Sequence, residues 1–190
     1  MLPPPFYMRG AQGGHVKGSS GKRVEELLTP GLKSRGFSLI ELLIVVAIIL
    51  IIAAIAIPSL VRARIAANEA AAVAACKKIV TAQVVYASTF GIGYSQTLAQ
   101  LGPPVPPGGP VTANNAALLD EIVTGGSKHG YRFTYNSTDT NGDGIVDAFQ
   151  VTASPLNPGV TGERHFYIDQ SGVIRARRGG VAGPGDPPIG

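Results

Sequence analysis

The chain has 190 residues, 45% of them apolar and 15% charged, with no Trp, a single Cys and a formal charge of +4; this is room for one modest domain plus an extra element, and it excludes two full domains, an internal disulfide framework and a Cys-rich zinc site. Gly and Pro make up 40 of the 190 residues, which demands long irregular stretches without reaching low complexity. Residues 1–36 hold six Lys/Arg against Glu25 and Glu26, whereas residues 37–190 hold ten of each sign, so loss of the first segment leaves a neutral chain with no electrostatic warrant for nucleic acid as a partner.

Leu42 to Ile57 is a run of sixteen apolar residues, and from Phe37 the run is 21 long with Ser38 and Glu41 its only polar members. As a helix rising about 1.5 Å per residue, such a run is long enough for a hydrocarbon core of roughly 30 Å. Lys33 and Arg35 just upstream, with no acid between Glu26 and Glu41, place the N-terminus on the cytoplasmic side; Arg62 and Arg64 after the span oppose that assignment. A secretory signal has an apolar core of about 7–15 residues ending at a small-residue cleavage site, whereas here Ala-rich sequence continues well beyond the core without a turn. Glu41 is the anomaly. A carboxylate four residues into a membrane helix costs on the order of a few kcal/mol unless it is paired or protonated. Lys33 or Arg35 could snorkel to it, or proteolysis beside Phe37 could supply a new α-amine at the right depth.

The stretch Arg35-Gly36-Phe37-Ser38-Leu39-Ile40-Glu41, with the apolar run behind it and Pro58 at its end, resembles the class III signal of type IV pilins and type II secretion pseudopilins. The resemblance is close over residues 33–65 and extends beyond them only in general layout. It implies that a prepilin peptidase cuts between Gly36 and Phe37 on the cytoplasmic face and methylates the amine of Phe37. It implies that Glu41 then neutralises the Phe37 amine of a neighbouring subunit as it enters a growing filament, with Pro58 as a second assembly residue. It further implies a single-pass inner-membrane protein with its N-terminus in the cytoplasm. An assembly platform in the inner membrane would move it out of the lipid into a homo-oligomeric periplasmic or cell-surface filament, with other pilins as partners. Residues 1–36 read as a cleaved leader, which a start at Met8 would shorten.

No Gly occurs from Phe37 to Phe90 and residues 59–87 are rich in Ala, so one helix of about 50 residues, roughly 75 Å, can run on past the membrane. Pro58 removes a backbone donor within it and should kink or loosen it. Beyond Pro58, Val61, Ile65, Ala72, Val73, Cys76, Ile79, Val80 and Val84 define an apolar stripe, with Arg62, Arg64, Asn68, Glu69, Lys77 and Lys78 mostly off it. Cys76 on the stripe reads as a small buried residue. Thr97 to Gln100 offers a capping box for one helical turn, Gly102 to Pro110 an extended connector, and Asn114-Asn115 a cap for a short helix through Ile122 closed by Gly125-Gly126. Strands follow at Tyr131–Tyr135, Phe149–Thr152 and Phe166–Ile168, with Asp169 to Gly172 a type I turn into Val173–Arg177.

The expected fold is α+β and pilin-like: a long N-terminal transmembrane helix packed against a small antiparallel sheet. Its divisions are the leader at 1–36, the transmembrane half of the helix at 37–57 and its amphipathic half at 58–90. A loop region with short helices at 91–130, the sheet at 131–178 and a disordered tail at 179–190 complete it.

Asp139-Thr140-Asn141-Gly142-Asp143-Gly144-Ile145-Val146-Asp147 sets oxygen side chains at alternate positions, then a Gly for the turn, then an acid. It matches the first nine positions of an EF-hand-type loop, with Asp139, Asn141, Asp143 and Asp147 as side-chain ligands for Ca²⁺ and Ile145 through its backbone carbonyl. Gln150 stands where the bidentate Glu is expected and the flanks read as strands, so a helical EF-hand is excluded. A hydrophilic hairpin loop uses the same residue types. Other extracellular calcium loops share this core, and some pseudopilins carry calcium in their globular domain. A weak site, of order 10⁻⁴ to 10⁻³ M, would suffice outside the cell.

No nucleotide-binding, hydrolase or metalloprotease motif appears, His15, His129 and His165 are scattered, and Asn136-Ser137-Thr138 is a glycosylation sequon of low specificity. Lys77-Lys78 and Arg175, Arg177 and Arg178 read as solvated surface. The expected role is structural, with no catalysis. Three readings stay open: a surface pilus, a type II secretion pseudopilus, and a membrane-anchored calcium-binding module that never polymerises.

Overall fold

The computed structural model describes residues 36–189; the leader expected upstream, with Lys33 and Arg35, lies outside the described residues. Of the described residues, 36–46 belong to one unit and 47–189 to a second. Helix α1 spans Leu39–Phe90. It starts where Ser38 can act as a cap, its carbonyl accepting from Leu42 N–H at 3.2 Å, and continues through a stretch free of Gly. Pro58 lies inside it, leaving the carbonyl of Ala54 without its helical donor and not ending the helix. The helix stops at Gly91, whose φ of +67° takes the left-handed conformation that commonly closes helices.

In the second unit α1 turns one face to the core through Ile65, Glu69, Ala72, Cys76, Ile79, Gln83 and Tyr86, flanked by Ala75 and Ala82. Spacings of four and three alternate along it, as they do on a helix seam that packs continuously. The expected stripe is corrected at its margins: Val61 and Val84 are exposed, Val73 and Val80 are half-buried, and the polar Glu69 and Gln83 take seam positions.

The other half of the core is a five-stranded antiparallel sheet in sequential order: β1 Ser127–Lys128, β2 Tyr131–Thr138, β3 Ala148–Pro155, β4 Arg164–Asp169 and β5 Arg175–Arg178. Period-2 alternation turns Tyr131, Phe133, Phe149, Val151, Phe166 and Ile168 inward, where they join Ala72, Cys76, Ile79 and Tyr86 in one cluster. Tyr131 and Phe166 meet with ring centroids 5.8 Å apart. β1 is a strand the sequence pattern did not announce. It pairs with β2 through a two-residue turn at His129 and Gly130, both at positive φ, as right-twisted hairpins require. Gly172 N–H donates to the Asp169 carbonyl at 3.0 Å, closing the expected turn into β5.

Two expectations fail in the connecting regions. The helix expected from Asn114 through Ile122 is only α2, Glu121–Thr124, capped by Asp120, whose Oδ1 accepts from Val123 N–H at 2.9 Å. The N–H groups of Ala116, Ala117, Leu118 and Leu119 donate instead to the carbonyls of Gln100, Gly102 and Leu101, so this backbone is spent on tying down the 3₁₀ turn Leu98–Leu101. The tail expected to be disordered is also ordered. Ala176 N–H donates to Pro187 O at 3.1 Å and Ile189 N–H to Ile174 O at 2.9 Å, and Ala182 is buried. The tail lies along the outer edge of β5, and edge hydrogen bonds outweigh its Gly/Pro composition.

Candidate functional site

The first feature is the start of α1. Gly36 and Phe37 precede the helix in non-helical backbone, and Phe37 is 87% exposed. A Cβ added at Gly36 would meet nothing within 4 Å. The fold therefore gives no steric reason for glycine there. At the third helical position Glu41 folds back so that Oε2 accepts from Ser38 N–H at 2.9 Å. This is one half of a capping box, and it gives the carboxylate a donor in its own chain. The Ser-x-x-Glu spacing was visible in the sequence as a cap signal, beside the motif that drew the functional reading.

From Leu39 to Arg64 no residue is buried. This is the one stretch among the described residues long and apolar enough to cross a membrane, and the rest of the chain covers none of it. Pro58 falls near its end, followed by the exposed Arg62 and Arg64. A continuous apolar surface of this length is stable only against lipid or other apolar helices.

The second feature is the loop between β2 and β3. It brings Asp139, Asn141, Asp143, Ile145 and Asp147 into one short segment. Asp139 Oδ1 accepts from Gly142 N–H at 2.7 Å and Oδ2 from Gly144 N–H at 2.8 Å. Asp143 Oδ1 accepts from Ile145 N–H at 2.7 Å, Asn141 Nδ2 donates to Asp143 Oδ2 at 3.0 Å, and Asp147 takes the N–H and hydroxyl of Thr140. The N–H donors, Gly144 foremost, hold Asp139 below the ordinary carboxylate range, and Thr140 does the same for Asp147. The donor set is all oxygen, which suits a hard cation. In this structure those oxygens face the loop's own donors, and among the described residues no group of three or more His, Cys, Asp or Glu converges on one point. The loop is tied to the end of α1 by Tyr94 N–H on Val146 O at 2.8 Å. The approach is so close that a Cβ at Gly93 would stand 2.4 Å from that oxygen.

Two polar clusters that composition could not reveal hold α1 to the sheet. Glu69, buried, accepts from Glu163 N–H at 2.9 Å, Arg164 N–H at 3.1 Å and Arg164 Nε at 2.7 Å. Burial pushes its pKa up, but the Glu163 amide and the Arg164 side chain and amide together bring it below the usual value. Gln83, fully buried, donates through Nε2 to Ser95 Oγ at 2.7 Å and Tyr135 OH at 2.8 Å and accepts from Ser95 N–H at 2.9 Å. Among the described residues no buried side-chain nitrogen or oxygen lacks a partner. Cys76 is fully buried, and burial pushes its thiol up to about 12, the inert behaviour expected of it. His165 is half-buried, with Nδ1 3.0 Å from Ser154 Oγ, and burial lowers its pKa.

Comparison with known protein families finds the prokaryotic N-terminal methylation motif over residues 32–57. Those residues are therefore a class III signal of the kind carried by type IV pilins and pseudopilins. The match takes in Gly36, Phe37, Glu41 and the exposed apolar run, and ends just before Pro58 and the sheet-covered half of α1. No curated protein and no solved structure matches the chain.

Proposed function

We propose that this chain is a pilin-like structural subunit, cut by a prepilin peptidase between Gly36 and Phe37, methylated on Phe37 and polymerised through α1 into a type IV pilus-like filament. The observation that carries the reading is the methylation motif at residues 32–57 lying on a helix whose apolar surface is left uncovered from Leu39 to Arg64. Before assembly that surface sits in the inner membrane, N-terminus in the cytoplasm. In the filament other copies and other pilins cover it, and Glu41 pairs with a neighbour's Phe37 amine. The sheet faces outward, and the role is structural rather than catalytic. A secretion pseudopilus uses the same chemistry and differs in the machine that drives it. Mass-spectrometric mapping of the mature N-terminus from native membranes tests the reading: a methylated Phe37 is expected, and an intact Gly36–Phe37 bond overturns it.

One observation favours a second reading, a static membrane anchor. Ser38 N–H already donates to Glu41, so an unassembled subunit does not leave the carboxylate wholly without a partner. This reading requires an uncleaved chain and no loss on Glu41→Ala.

Calcium on the 139–147 loop is a separate proposal, supported by the alternate spacing of Asp139, Asn141 and Asp143, with Ile145 and Asp147 completing the set. Binding would have to turn carboxylate oxygens away from their present donors. Equal melting temperatures in calcium and in chelator would remove it.

A further inference from the structure

Leu42 to Val61 is a run of twenty residues, apolar but for Ser59, and as helix it is about 30 Å long, the thickness of a hydrocarbon core. With that run in lipid, Arg62 and Arg64, both exposed, fall at the level of the headgroups. Asn68, six residues beyond Arg62, stands only about 9 Å above the hydrocarbon boundary, and the headgroup layer itself takes up roughly 5–7 Å of that. Asn68 Nδ2 donates to Thr161 O at 3.0 Å, and Glu69 accepts from the N–H groups of Glu163 and Arg164. The β3–β4 loop is thereby held at that height, at the end of the sheet opposite the 139–147 hairpin. The loop is ordered by its own bonds, Gly159 N–H to Gly162 O and Thr161 N–H to Asn157 O, both at 2.9 Å. Even so, it leaves Val160 62% and Leu156 43% exposed. Residues 148–162 carry no charged side chain. The acids beside them are already engaged: Glu69 is buried under three donors, and Glu163 lies 3.5 Å from Arg178. Arg62 and Arg64 have no ion-pair partner among the described residues. Two positions apart on a helix, they stand on nearly opposite sides of it.

Two unpaired guanidinium groups flanking the helix, with an uncharged, apolar-tipped loop beside them, match a phospholipid surface. Its phosphates suit the cations, and its interfacial layer takes shallow apolar side chains. We propose that Arg62, Arg64 and the 156–162 loop form a docking surface for the phospholipid bilayer that α1 enters. The surface is continuous with the uncovered stretch of α1, so helix and loop meet one membrane. The inference rests on the membrane reading and adds to it: before assembly the sheet domain is seated on the headgroups instead of swinging free above them. It also accounts for two arginines that follow the span against the charge bias of its other flank, since they hold headgroups and do not set the orientation. Such contacts weaken as salt rises.

The test uses the full chain reconstituted into vesicles of equal parts phosphatidylethanolamine and phosphatidylglycerol. A fluorophore is placed on Asn157→Cys in the loop or on Gly142→Cys in the opposite hairpin, with a headgroup-labelled lipid as quencher; the native Cys76 is buried and does not compete. Quenching is expected to be severalfold stronger at 157 than at 142. Arg62→Gln with Arg64→Gln should shift the ratio of seated to lifted domain about thirtyfold and remove most of that quenching. Val160→Asp should lower it severalfold, and vesicles without phosphatidylglycerol should lower it as well. Quenching no stronger at 157 than at 142, in a chain that resists alkaline extraction from the vesicles, overturns the docking and leaves the membrane reading in place. Strong quenching that neither the arginine pair nor Val160→Asp alters, with melting temperatures unchanged, comes from the tether of α1 alone and also overturns it. A chain that alkaline extraction removes from the vesicles overturns the membrane reading, and the docking with it.

Discussion

The two halves of α1 share a backbone and a composition of helix formers, yet their apolar residues serve different solvents. From Leu39 to Arg64 the side chains are apolar almost all round and uncovered. From Ile65 to Tyr86 burial contracts to a seam one or two residues wide, and the opposite side carries Lys77, Lys78 and Thr81 exposed. The first half has no complementary surface within the described chain, and the second has a sheet shaped to it. Hydrophobicity alone does not distinguish a segment left uncovered by its own chain from one that packs on its own core. The width of the apolar surface does.

Substitutions can break that contrast, and the largest effect should come from the uncovered half. Glu41→Ala should abolish filaments in electron micrographs of native cells while leaving membrane insertion and the melting of the sheet domain unchanged; normal filaments would remove the account of the carboxylate. In the covered half, Phe166→Ala removes a fully buried ring and should cost about 3–5 kcal/mol in denaturant unfolding of the detergent-solubilised chain, with insertion intact. Glu69→Ala should cost about 2–4 kcal/mol, because three donors from residues 163 and 164 lose their acceptor.

The same carboxylate gives a pH signature. Its folded pKa lies below the ordinary Glu value near 4.3, so its contribution is complete above that pH and is lost as the pH falls through the folded value. Glu69→Gln should flatten that acid limb of the stability curve. The smallest effect is chemical: Cys76, with its thiol held at about 12, should resist alkylation at pH 8 in the native chain and react once it is unfolded. Rapid native labelling would show the seam to be open.

The contrast between the halves also explains what could be read from sequence. The membrane run, the motif around Gly36, Phe37 and Glu41 and the alternating strands were legible because each depends on residues close in the chain. Apolar positions alone leave Glu69 off the seam, and its acceptance of donors 94 and 95 residues away leaves no local mark. The Gly/Pro-rich tail departs from its composition for a related reason: its order comes from the edge of β5, a long-range partner. The segment 114–119 had a good cap in Asn114, but its N–H groups found carbonyls in the 3₁₀ turn first. The 139–147 segment is legible as a loop, and its spacing of oxygens is the same whether those oxygens face a cation or its own amides.

The Glu69 clamp also has a mechanical consequence. It lies one turn beyond Ile65, the first buried residue of α1, and joins the helix to the start of β4 by three hydrogen bonds. A pull on α1 from its N-terminal end therefore reaches these bonds, and the Asn68 Nδ2 bond to Thr161 O at 3.0 Å beside them, before the aromatic layer that follows. Such a load falls on the clamp first, and on the buried rings only after it.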